Sequence, residues 1–242
     1  MSRSATDRLF AGSAGFAHRG RHDAAVPENS LAAFRAAIAC GAGIECDVRL
    51  SRDGFPIVYH DSSLQRLCGV NRETESVNAA TLMDLPLAGT RERIPWLGQL
   101  LELAGPQTPL LVEIKSRQER RDYPYPITRL CRVVAQQIHR HPGPVGVMSF
   151  NPMVGAWFAR NAPEIPRGLV IADDLPPWQR WFSLRMAQPT FVAVETLAAA
   201  RPWIARQRRL GPVASWTVRT AEQRKALQNQ VDALIWEGDG RP

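Results

Sequence analysis

Short apolar runs rich in Val, Ile, Leu and Phe alternate along this chain with segments whose apolar side chains recur at helical spacing. The clearest helical segment is residues 30–40, where Leu31, Phe34 and Ile38 lie three or four residues apart and so share one face. Asn29 is the predicted N-cap of this helix. The regular alternation of strands and helices predicts β/α units arranged around a parallel sheet.

Eight strands are predicted, and the connections between them are helical or irregular. The strands cover residues 15–17, 43–50, 110–114, 145–149, 168–171, 191–194, 213–217 and 233–236. The helices cover residues 30–40, 95–104, 128–139, 152–161, 178–186, 202–210 and 221–229. This succession is typical of an eightfold β/α barrel. The helix after the eighth strand is not evident, so we expect it to be missing or replaced by the N-terminal segment.

One connection is longer than the others. Residues 55–60 form a further extended run, which we interpret as a hairpin arm on the second strand, and residues 62–93 after it are polar and irregular. A connection of this length is uncommon inside a compact domain and is usually functional. We therefore expect one barrel domain over residues 1–242, with a small lid-like insertion at 62–93.

The composition, with 45% hydrophobic and 22% charged residues, is that of an ordinary globular protein. A net charge of +7 and a pI of about 9.9 favour anionic partners. Nucleic acid is not expected, because the arginines are scattered and no nucleic-acid-binding motif occurs. Of the 30 basic residues, only Lys115 and Lys225 are lysines, which indicates that these positions need a compact ammonium group.

The expected location is the cytoplasm. The four cysteines show no CxxC spacing, which indicates reduced thiols. The first 15 residues carry Arg3, Asp7 and Arg8 and no continuous apolar run, so a signal peptide is not expected. No segment approaches the ~18 apolar residues of a membrane span, so stable membrane insertion is not expected either.

Acidic side chains lie where two predicted strands end. Glu45 and Asp47 are two apart on one strand, so both carboxylates point to one face while Cys46 points to the other. Glu113 and Lys115 repeat this spacing on another strand. Carboxylates directed at one point repel each other unless a cation lies between them, and such hard oxygen ligands suit Mg²⁺ or Ca²⁺. The alternative is that each acid forms a separate surface ion pair.

Two histidines also end apolar runs. His18 and His60 are each followed by a charged residue, and a pair of imidazoles on opposite sides of a reacting centre can remove one proton and donate another. Arg19 and Lys115 would supply positive charge to a phosphate. The remaining histidines are assigned structural roles: His22, His139 and His141.

Taken in order, these motifs resemble those of the glycerophosphodiester phosphodiesterase family. The motifs are His18-Arg19-Gly20, Pro27-Glu28-Asn29-Ser30, Glu45-Cys46-Asp47, His60-Asp61 and Glu113-Ile114-Lys115, followed by Ser149-Phe150 and Trp216-Thr217-Val218. The resemblance covers nearly the whole chain. It departs from the family after the eighth strand, where members commonly have a Thr-Asp pair and this chain has Trp236-Glu237.

The resemblance implies a TIM-type barrel with its insertion after strand two. It also implies cleavage of a glycerophosphodiester such as glycerophosphocholine into glycerol 3-phosphate and an alcohol. The implied roles are a divalent metal, Mg²⁺ or Ca²⁺, on Glu45, Asp47 and Glu113; acid and base catalysis by His18 and His60; phosphate binding by Arg19 and Lys115; and a glycerol pocket lined by Phe150 and Trp216. The nucleophile is either water or the neighbouring glycerol hydroxyl.

Two other functions remain open on sequence grounds. One is a lysophospholipase D-type phosphodiesterase that uses the same site on lipid substrates, with the basic surface attracting anionic membranes. The other is a non-catalytic barrel that binds phosphodiesters, and it would be marked by loss of a histidine or an acid of the set. All of these residues are present. Phe150 has an alternative reading too, as a core residue.

Overall fold

The computed structural model describes residues 4–11, 14–115 and 127–242. The strands in these ranges are β1 (Phe16–Ala17), β2 (Gly43–Leu50), β3 (Pro56–Val58), β4 (Leu110–Ile114), β5 (Val145–Ser149), β6 (Arg167–Ile171), β7 (Phe191–Glu195), β8 (Val213–Val218) and β9 (Ala233–Trp236). The helices are α1 (Ala5–Phe10), α2 (Leu31–Ala39), α3 (Gln65–Cys68), α4 (Ala79–Asp84), α5 (Leu97–Ala104), α6 (Ile127–Ile138), α7 (Pro152–Asn161), α8 (Pro177–Ala187), α9 (Pro202–Arg208) and α10 (Ala221–Leu227). Short 3-10 helices cover Thr74–Ser76, Thr196–Ala200 and Gly238–Gly240.

Eight of the strands in the described ranges close into a parallel barrel. The neighbours around the ring are β1, β2, β4, β5, β6, β7, β8 and β9, and β1 pairs with both β2 and β9. β3 pairs antiparallel with β2 outside this ring. The eightfold TIM-type barrel expected from the sequence is therefore confirmed, and so is the hairpin arm.

The side chains of β2 alternate between two environments. Cys46 and Val48 belong to the buried cluster between the barrel and its helices. Glu45 and Asp47 lie on the opposite side of the strand, and Glu45 is in register with Leu111, a residue of the apolar barrel interior. The two-residue period of the strand therefore places both carboxylates inside the barrel, as the spacing predicted.

The N-terminal helix α1 covers the barrel end at which the strands begin. Leu9 is fully buried there, and the Phe10 ring packs edge-on against Phe16 and Phe191 with centroid distances of 5.8 and 5.2 Å. A Cβ at Gly146 would lie 2.5 Å from Leu9, so the glycine makes room for α1. The N-terminal helix therefore closes the end of the barrel at which the strands begin. We had considered that the N-terminal segment could replace the eighth barrel helix, but it does not lie in that outer position.

The insertion after β3 is a small folded unit, and the prediction of an irregular segment was wrong. It contains α3, α4 and a 3-10 turn, and its side chains Leu64, Leu82 and Ile94 form a buried cluster with Ile57 and Tyr59. Each helix has at most six residues, which is too short for a helical period to stand out from the sequence.

A buried ion pair ties this insertion to the barrel. Arg49 on β2 donates from Nη1 to Glu75 Oε1 at 2.7 Å and from Nε to the His60 carbonyl oxygen at 2.7 Å. The Thr74 hydroxyl donates to the Asp61 carbonyl oxygen at 2.9 Å. Two backbone carbonyls of the His60 loop are therefore held by buried groups, which fixes the position of this loop above the barrel.

Across the described ranges, no helix is long and apolar enough to span a bilayer. The longest, α6, has 12 residues, whereas a span needs ~20. The expectation that the N-terminus is not a signal peptide rests in part on residues 1–3 and 12–13, which lie outside those ranges.

Candidate active site

The predicted site residues lie together on the barrel face formed by the C-terminal ends of the strands, opposite α1. His18 follows β1, and the next contributions come from Glu45 and Asp47 on β2. β3 then runs back along β2 until the Tyr59 amide donates to the Asp47 carbonyl oxygen at 2.9 Å. This reversal brings His60 to the level of the carboxylates, although it lies on a hairpin and not at the end of a barrel strand.

Three buried carboxylates form the centre of the site. Asp47 and Glu113 are in register on the paired strands β2 and β4, and Glu45 lies one inward position below Asp47. Ligand oxygens of the three residues lie within 4.8 Å of one another. Two acidic pairs at two-residue spacing in the sequence are thus combined into one cluster by strand register.

Two cations partly compensate these charges. Lys115 Nζ lies 2.9 Å from Asp47 Oδ1 and 2.6 Å from Glu113 Oε1. Arg19 Nε forms an ion pair with Asp47 Oδ2 at 3.1 Å, and the Arg19 amide donates to Glu45 Oε2 at 3.0 Å. Three carboxylates against two cations leave one negative charge uncompensated when all five groups are ionised.

The acids differ in their proton affinities. Burial by itself would raise the pKa of Asp47, but the charges of Lys115 and Arg19 outweigh it and hold that pKa well below its usual range. Burial raises the pKa of Glu45 well above its usual value, and repulsion from Asp47 and Glu113 adds to the shift. Burial also raises the pKa of Glu113, against the attraction of Lys115. Glu45 therefore carries the least compensated charge.

The cluster fits a divalent cation. Glu45 Oε1 is buried and accepts no hydrogen bond from any residue in the described ranges, an arrangement that is costly unless another group satisfies this oxygen. Carboxylate oxygens are the ligands that Mg²⁺ and Ca²⁺ prefer. A divalent ion would also offset the excess negative charge and the mutual repulsion that raises the pKa of Glu45.

Each candidate catalytic histidine is oriented by a carboxylate. His18 Nδ1 lies 2.9 Å from Glu237 Oε2, and His60 Nδ1 lies 2.7 Å from Asp61 Oδ1. A hydrogen bond at Nδ1 fixes the ring and directs Nε2 away from the carboxylate. Burial lowers the pKa of His60 more than the neighbouring Asp47 raises it, which favours the neutral ring that a proton acceptor needs.

An arginine of the insertion joins the two halves of the site. Arg66 lies 2.6 Å from Asp61 Oδ2 and donates to both carboxylate oxygens of Glu28 at 2.8 Å. Glu28 in turn accepts from Arg19 Nη1 at 2.7 Å. The insertion thus positions His60 and Arg19 through one chain of charged groups, a role that its polar sequence did not reveal.

Asn29 belongs to the site and is not the cap of α2, contrary to our prediction. The cap is Ser30, whose hydroxyl accepts from the Ala33 amide at 3.1 Å. Asn29 has a φ of 56° and donates from Nδ2 to Asp47 Oδ2 at 2.9 Å. Arg19 has a similar φ of 55°. Left-handed backbone at two non-glycine residues that contact the same aspartate indicates strain held by the site.

Sequence reasoning missed Glu237 and His22. Glu237 follows β9 and contacts His18, while Arg219 Nε donates to its other carboxylate oxygen at 2.5 Å. His22 Nε2 lies 3.6 Å from Glu237, so this histidine, to which we assigned a structural role, borders the site. The sequence feature that could have identified Glu237 is Trp236-Glu237 after the eighth strand, where family members commonly have a Thr-Asp pair. His139, in contrast, lies at the opposite barrel end, 3.8 Å from Glu164.

Two aromatic side chains border the mouth of the site. The rings of Phe150 and Trp216 pack edge-on with a centroid distance of 5.4 Å. Trp216 Nε1 donates to the Ala193 carbonyl oxygen at 3.2 Å, which fixes the indole. Phe150 is 42% exposed, so its alternative reading as a core residue was wrong.

Residues 18–237 match the Glycerophosphoryl diester phosphodiesterase family. A glycerophosphodiester phosphodiesterase of Caldanaerobacter subterraneus subsp. tengcongensis is 32% identical over 180 residues, which cover 70% of this chain and 71% of that protein. A probable glycerophosphodiester phosphodiesterase 1 of Mycobacterium tuberculosis is 44% identical over 77 residues, or 31% of this chain and 25% of that one.

Solved structures share the barrel at lower identity. A putative glycerophosphoryl diester phosphodiesterase of Silicibacter pomeroyi has a TM-score of 0.81 at 22% identity and covers 97% of this chain and 94% of its own. An Oleispira antarctica phosphodiesterase, solved with its product sn-glycerol-3-phosphate, has a TM-score of 0.80 at 24% identity. The match covers 97% of this chain and 95% of the Oleispira chain. These similarities support the fold independently of the site residues.

Proposed function

The chain belongs to the glycerophosphoryl diester phosphodiesterase family, and we propose that it hydrolyses glycerophosphodiesters to glycerol 3-phosphate and an alcohol by acid and base catalysis of His18 and His60. The observation that carries the proposal is the buried cluster of Glu45, Asp47 and Glu113, flanked by two carboxylate-oriented histidines. A binding protein would have no need of two oriented proton-transfer groups beside a charged cluster. The non-catalytic alternative is therefore disfavoured.

Glu45, Asp47 and Glu113 are the proposed holders of a divalent cation, Mg²⁺ or Ca²⁺. When bound, such an ion supplies Lewis-acid stabilisation of the phosphoryl oxygens. The protein's own contribution is a rigid, buried arrangement of these oxygens, because two of the carboxylates are locked by Lys115, Arg19 and strand register.

Arg19 and Lys115 retain donors for a phosphate despite their ion pairs. Lys115 has three ammonium hydrogens and donates one of them to Glu113, while its contact with Asp47 is an ion pair, so donors remain for a phosphate. Arg19 uses Nε toward Asp47 and Nη1 toward Glu28, which leaves donors at Nη2. Both cations are held by carboxylates of the site, so they are positioned before substrate binds and need no reorganisation during the reaction.

His18 and His60 divide the proton transfers in this proposal. One imidazole removes a proton from the nucleophile. If the nucleophile is a water, glycerol 3-phosphate forms directly; if it is the glycerol hydroxyl next to the phosphate, a cyclic phosphate forms and a water then opens it to glycerol 3-phosphate. The other imidazole protonates the leaving oxygen as the phosphodiester bond breaks. Glu237 and Asp61 hold the rings so that Nε2 faces the substrate. Phe150 and Trp216 at the mouth are proposed to contact the glycerol carbons.

The first test is hydrolysis of glycerophosphocholine and glycerophosphoethanolamine. We expect release of glycerol 3-phosphate with Mg²⁺ or Ca²⁺ and loss of release in EDTA, restored when the metal is added back. The measurement is an enzyme-coupled assay of glycerol 3-phosphate. Binding of the substrate by calorimetry without turnover under any metal condition would contradict the proposal and favour the binding protein.

Glu237 is expected to act on the reaction through His18. Glu237→Gln keeps the size of the side chain and removes its charge, so we expect kcat to fall about 10- to 100-fold, a usual cost of losing the group that orients a functional histidine. KM for glycerophosphocholine should change little. Steady-state kinetics with both values resolved provide the measurement.

Glu164→Gln is the matched control for this variant. Glu164 lies beside a histidine as Glu237 does, but at the opposite barrel end. Its replacement should leave kcat and KM unchanged. A Glu237→Gln enzyme with normal kcat, or with a raised KM alone, would contradict the positioning role.

A further inference from the structure

A second group of potential metal ligands lies on the same barrel face as the carboxylates. It consists of His18, His22 and Glu237, whose ligand atoms all lie within 4.8 Å of one another, and we call it the histidine cluster. It offers two imidazole nitrogens and one carboxylate oxygen, whereas the carboxylate cluster offers oxygens only. Imidazole ligands suit Zn²⁺ and other transition metals, and oxygen ligands suit Mg²⁺ or Ca²⁺. The two clusters therefore differ in the class of metal that they would select.

The distances within the histidine cluster are close to those of a tetrahedral metal site. Glu237 Oε2 lies 2.9 Å from His18 Nδ1 and 3.6 Å from His22 Nε2. Zn²⁺ lies about 2.1 Å from nitrogen and oxygen ligands, so two ligands of a tetrahedral ion are about 3.4 Å apart. The two measured separations fall on either side of this value. Small movements of the side chains would therefore bring the three atoms to coordination distance.

His22 Nε2 is the atom that a simple pair of His18 and Glu237 does not explain. It is buried, and it forms no hydrogen bond with any residue in the parts of the chain that the structure describes. Its distance from Glu237 Oε2 is longer than a hydrogen bond. A buried polar atom without such a partner is costly. Coordination of a metal ion through the Nε2 lone pair would satisfy this atom.

The loop after β1 holds both histidines in place. The Arg21 amide donates to the Ala33 carbonyl oxygen at 2.9 Å. Gly20 has a φ of 78°, and a Cβ at this position would lie 2.8 Å from Ala33, so the loop lies tightly against α2. This path brings His22 back toward Glu237, which follows β9. Ligands that are fixed before an ion arrives lose little conformational freedom when they bind it.

Glu237 keeps one oxygen for the two imidazoles. Arg219 Nε pairs with the other oxygen, Oε1, and water screens this cation because its side chain is 60% exposed. The side chains of His18, His22 and Glu237 are 15%, 24% and 21% exposed. This partial exposure leaves room for a water at the fourth position of a tetrahedral ion.

We infer that Zn²⁺ binds to His18 Nδ1, His22 Nε2 and Glu237 Oε2 and thereby inhibits hydrolysis, an inference that rests on the role of His18 in the proposed function. Coordination through Nδ1 places the proton of the neutral His18 ring on Nε2. The ring then has no free lone pair with which to accept a proton. A neutral metal-bound ring is also a weaker acid than an imidazolium, so it protonates a leaving oxygen poorly. His18 is therefore blocked in either role, while the carboxylate cluster keeps its own ion.

The first test is calorimetric titration of Zn²⁺ into the full chain in the presence of saturating Mg²⁺. We expect one zinc site, and His22→Ala should weaken it at least ~10-fold, because loss of even an outer partner of a metal ligand usually costs that much. His139→Ala is the matched control. His139 also lies beside a glutamate, but it belongs to no three-ligand cluster within the described ranges. Its loss should leave the zinc affinity unchanged. No zinc binding, or equal affinity in His22→Ala and the wild type, would overturn the inference.

Co²⁺ in place of Zn²⁺ reports the geometry of the site. In a tetrahedral site with nitrogen ligands it absorbs visible light much more strongly than in a six-coordinate oxygen site. We expect this absorption in the wild type and its loss in both His22→Ala and Glu237→Gln, the second of which removes the charge of the carboxylate ligand. Absorption that persists in both variants would place the ion elsewhere and contradict the inference.

Inhibition is measured on the same proteins with glycerophosphocholine and saturating Mg²⁺, each relative to its own rate without zinc. Zinc should inhibit the wild type and His139→Ala at the same concentration, and His22→Ala should need at least ~10-fold more. Zinc binding that leaves turnover unchanged, or equal inhibition of His22→Ala and the wild type, would overturn the inference. Absence of hydrolysis before zinc is added would instead count against the proposed function.

Discussion

His18→Ala and His60→Ala are each expected to lower kcat for glycerophosphocholine by about 10²- to 10⁴-fold, the usual contribution of a positioned acid or base. Each alanine removes a proton-transfer group and leaves the carboxylate cluster and its cations in place. Steady-state kinetics at saturating metal are the measurement. Thermal unfolding should show little change in Tm, because both rings are partly exposed at the mouth of the barrel.

His139→Ala is the control for these variants. The His139 side chain is 78% exposed at the opposite barrel end, so its loss should change neither kcat nor Tm. Near wild-type turnover in His18→Ala or His60→Ala would show that the acid and base assignment is wrong. A double variant no slower than either single one would indicate that the two rings act as one unit.

Glu45→Gln is expected to weaken binding of the divalent metal by about 10- to 100-fold or more. The amide keeps an oxygen for the Arg19 backbone hydrogen bond but removes a negative charge that Asp47 and Glu113 repel. Two measurements follow: metal titration of activity, and metal-dependent rise in Tm, which reports binding without turnover. Both should shift to higher metal concentration in the variant.

The stability of the metal-free variant separates a ligand role from a structural one. Because Glu45 carries a poorly compensated buried charge, Glu45→Gln without metal should be at least as stable as the wild type without metal. Glu195→Gln is a suitable control, since Glu195 ends β7 on the same barrel face outside the cluster. An unchanged metal response in Glu45→Gln, or a large fall in its metal-free Tm, would contradict the ligand role.

Local sequence spacing was sufficient to predict the barrel and the centre of its site. The two-residue period of a strand determines that Glu45 and Asp47 share a face, and it holds regardless of what surrounds the strand. Parallel strands in turn place their C-terminal ends on one face, so His18, Glu45, Asp47 and Glu113 could be expected to meet. The acidic cluster was therefore readable from the order and spacing of its motifs.

Contacts between distant segments were decided by the tertiary structure alone. Glu237 is 219 positions from His18 and reaches it only because β9 pairs with β1 when the barrel closes. Asn29 looked like a cap, yet a left-handed turn carries it to Asp47 and leaves the cap to Ser30. Barrel closure and the direction of the turn at Asn29 leave no periodic pattern in the local sequence, so the sequence could not predict these contacts.

The exposed aromatic face of α8 is a second feature for which local spacing and tertiary packing each decide a different part. Trp178, Trp181 and Phe182 have the spacing of a core-facing helix, because positions i, i+3 and i+4 share one helical face. Which way that face points depends on how α8 packs against α7 and β6, and this packing leaves the face in solvent. The sequence by itself thus determined the eight barrel strands and the helices between them, the strand faces and the acidic cluster. The tertiary structure decided the partners of the histidines and the surface that faces outward, because these depend on packing between segments far apart in the chain.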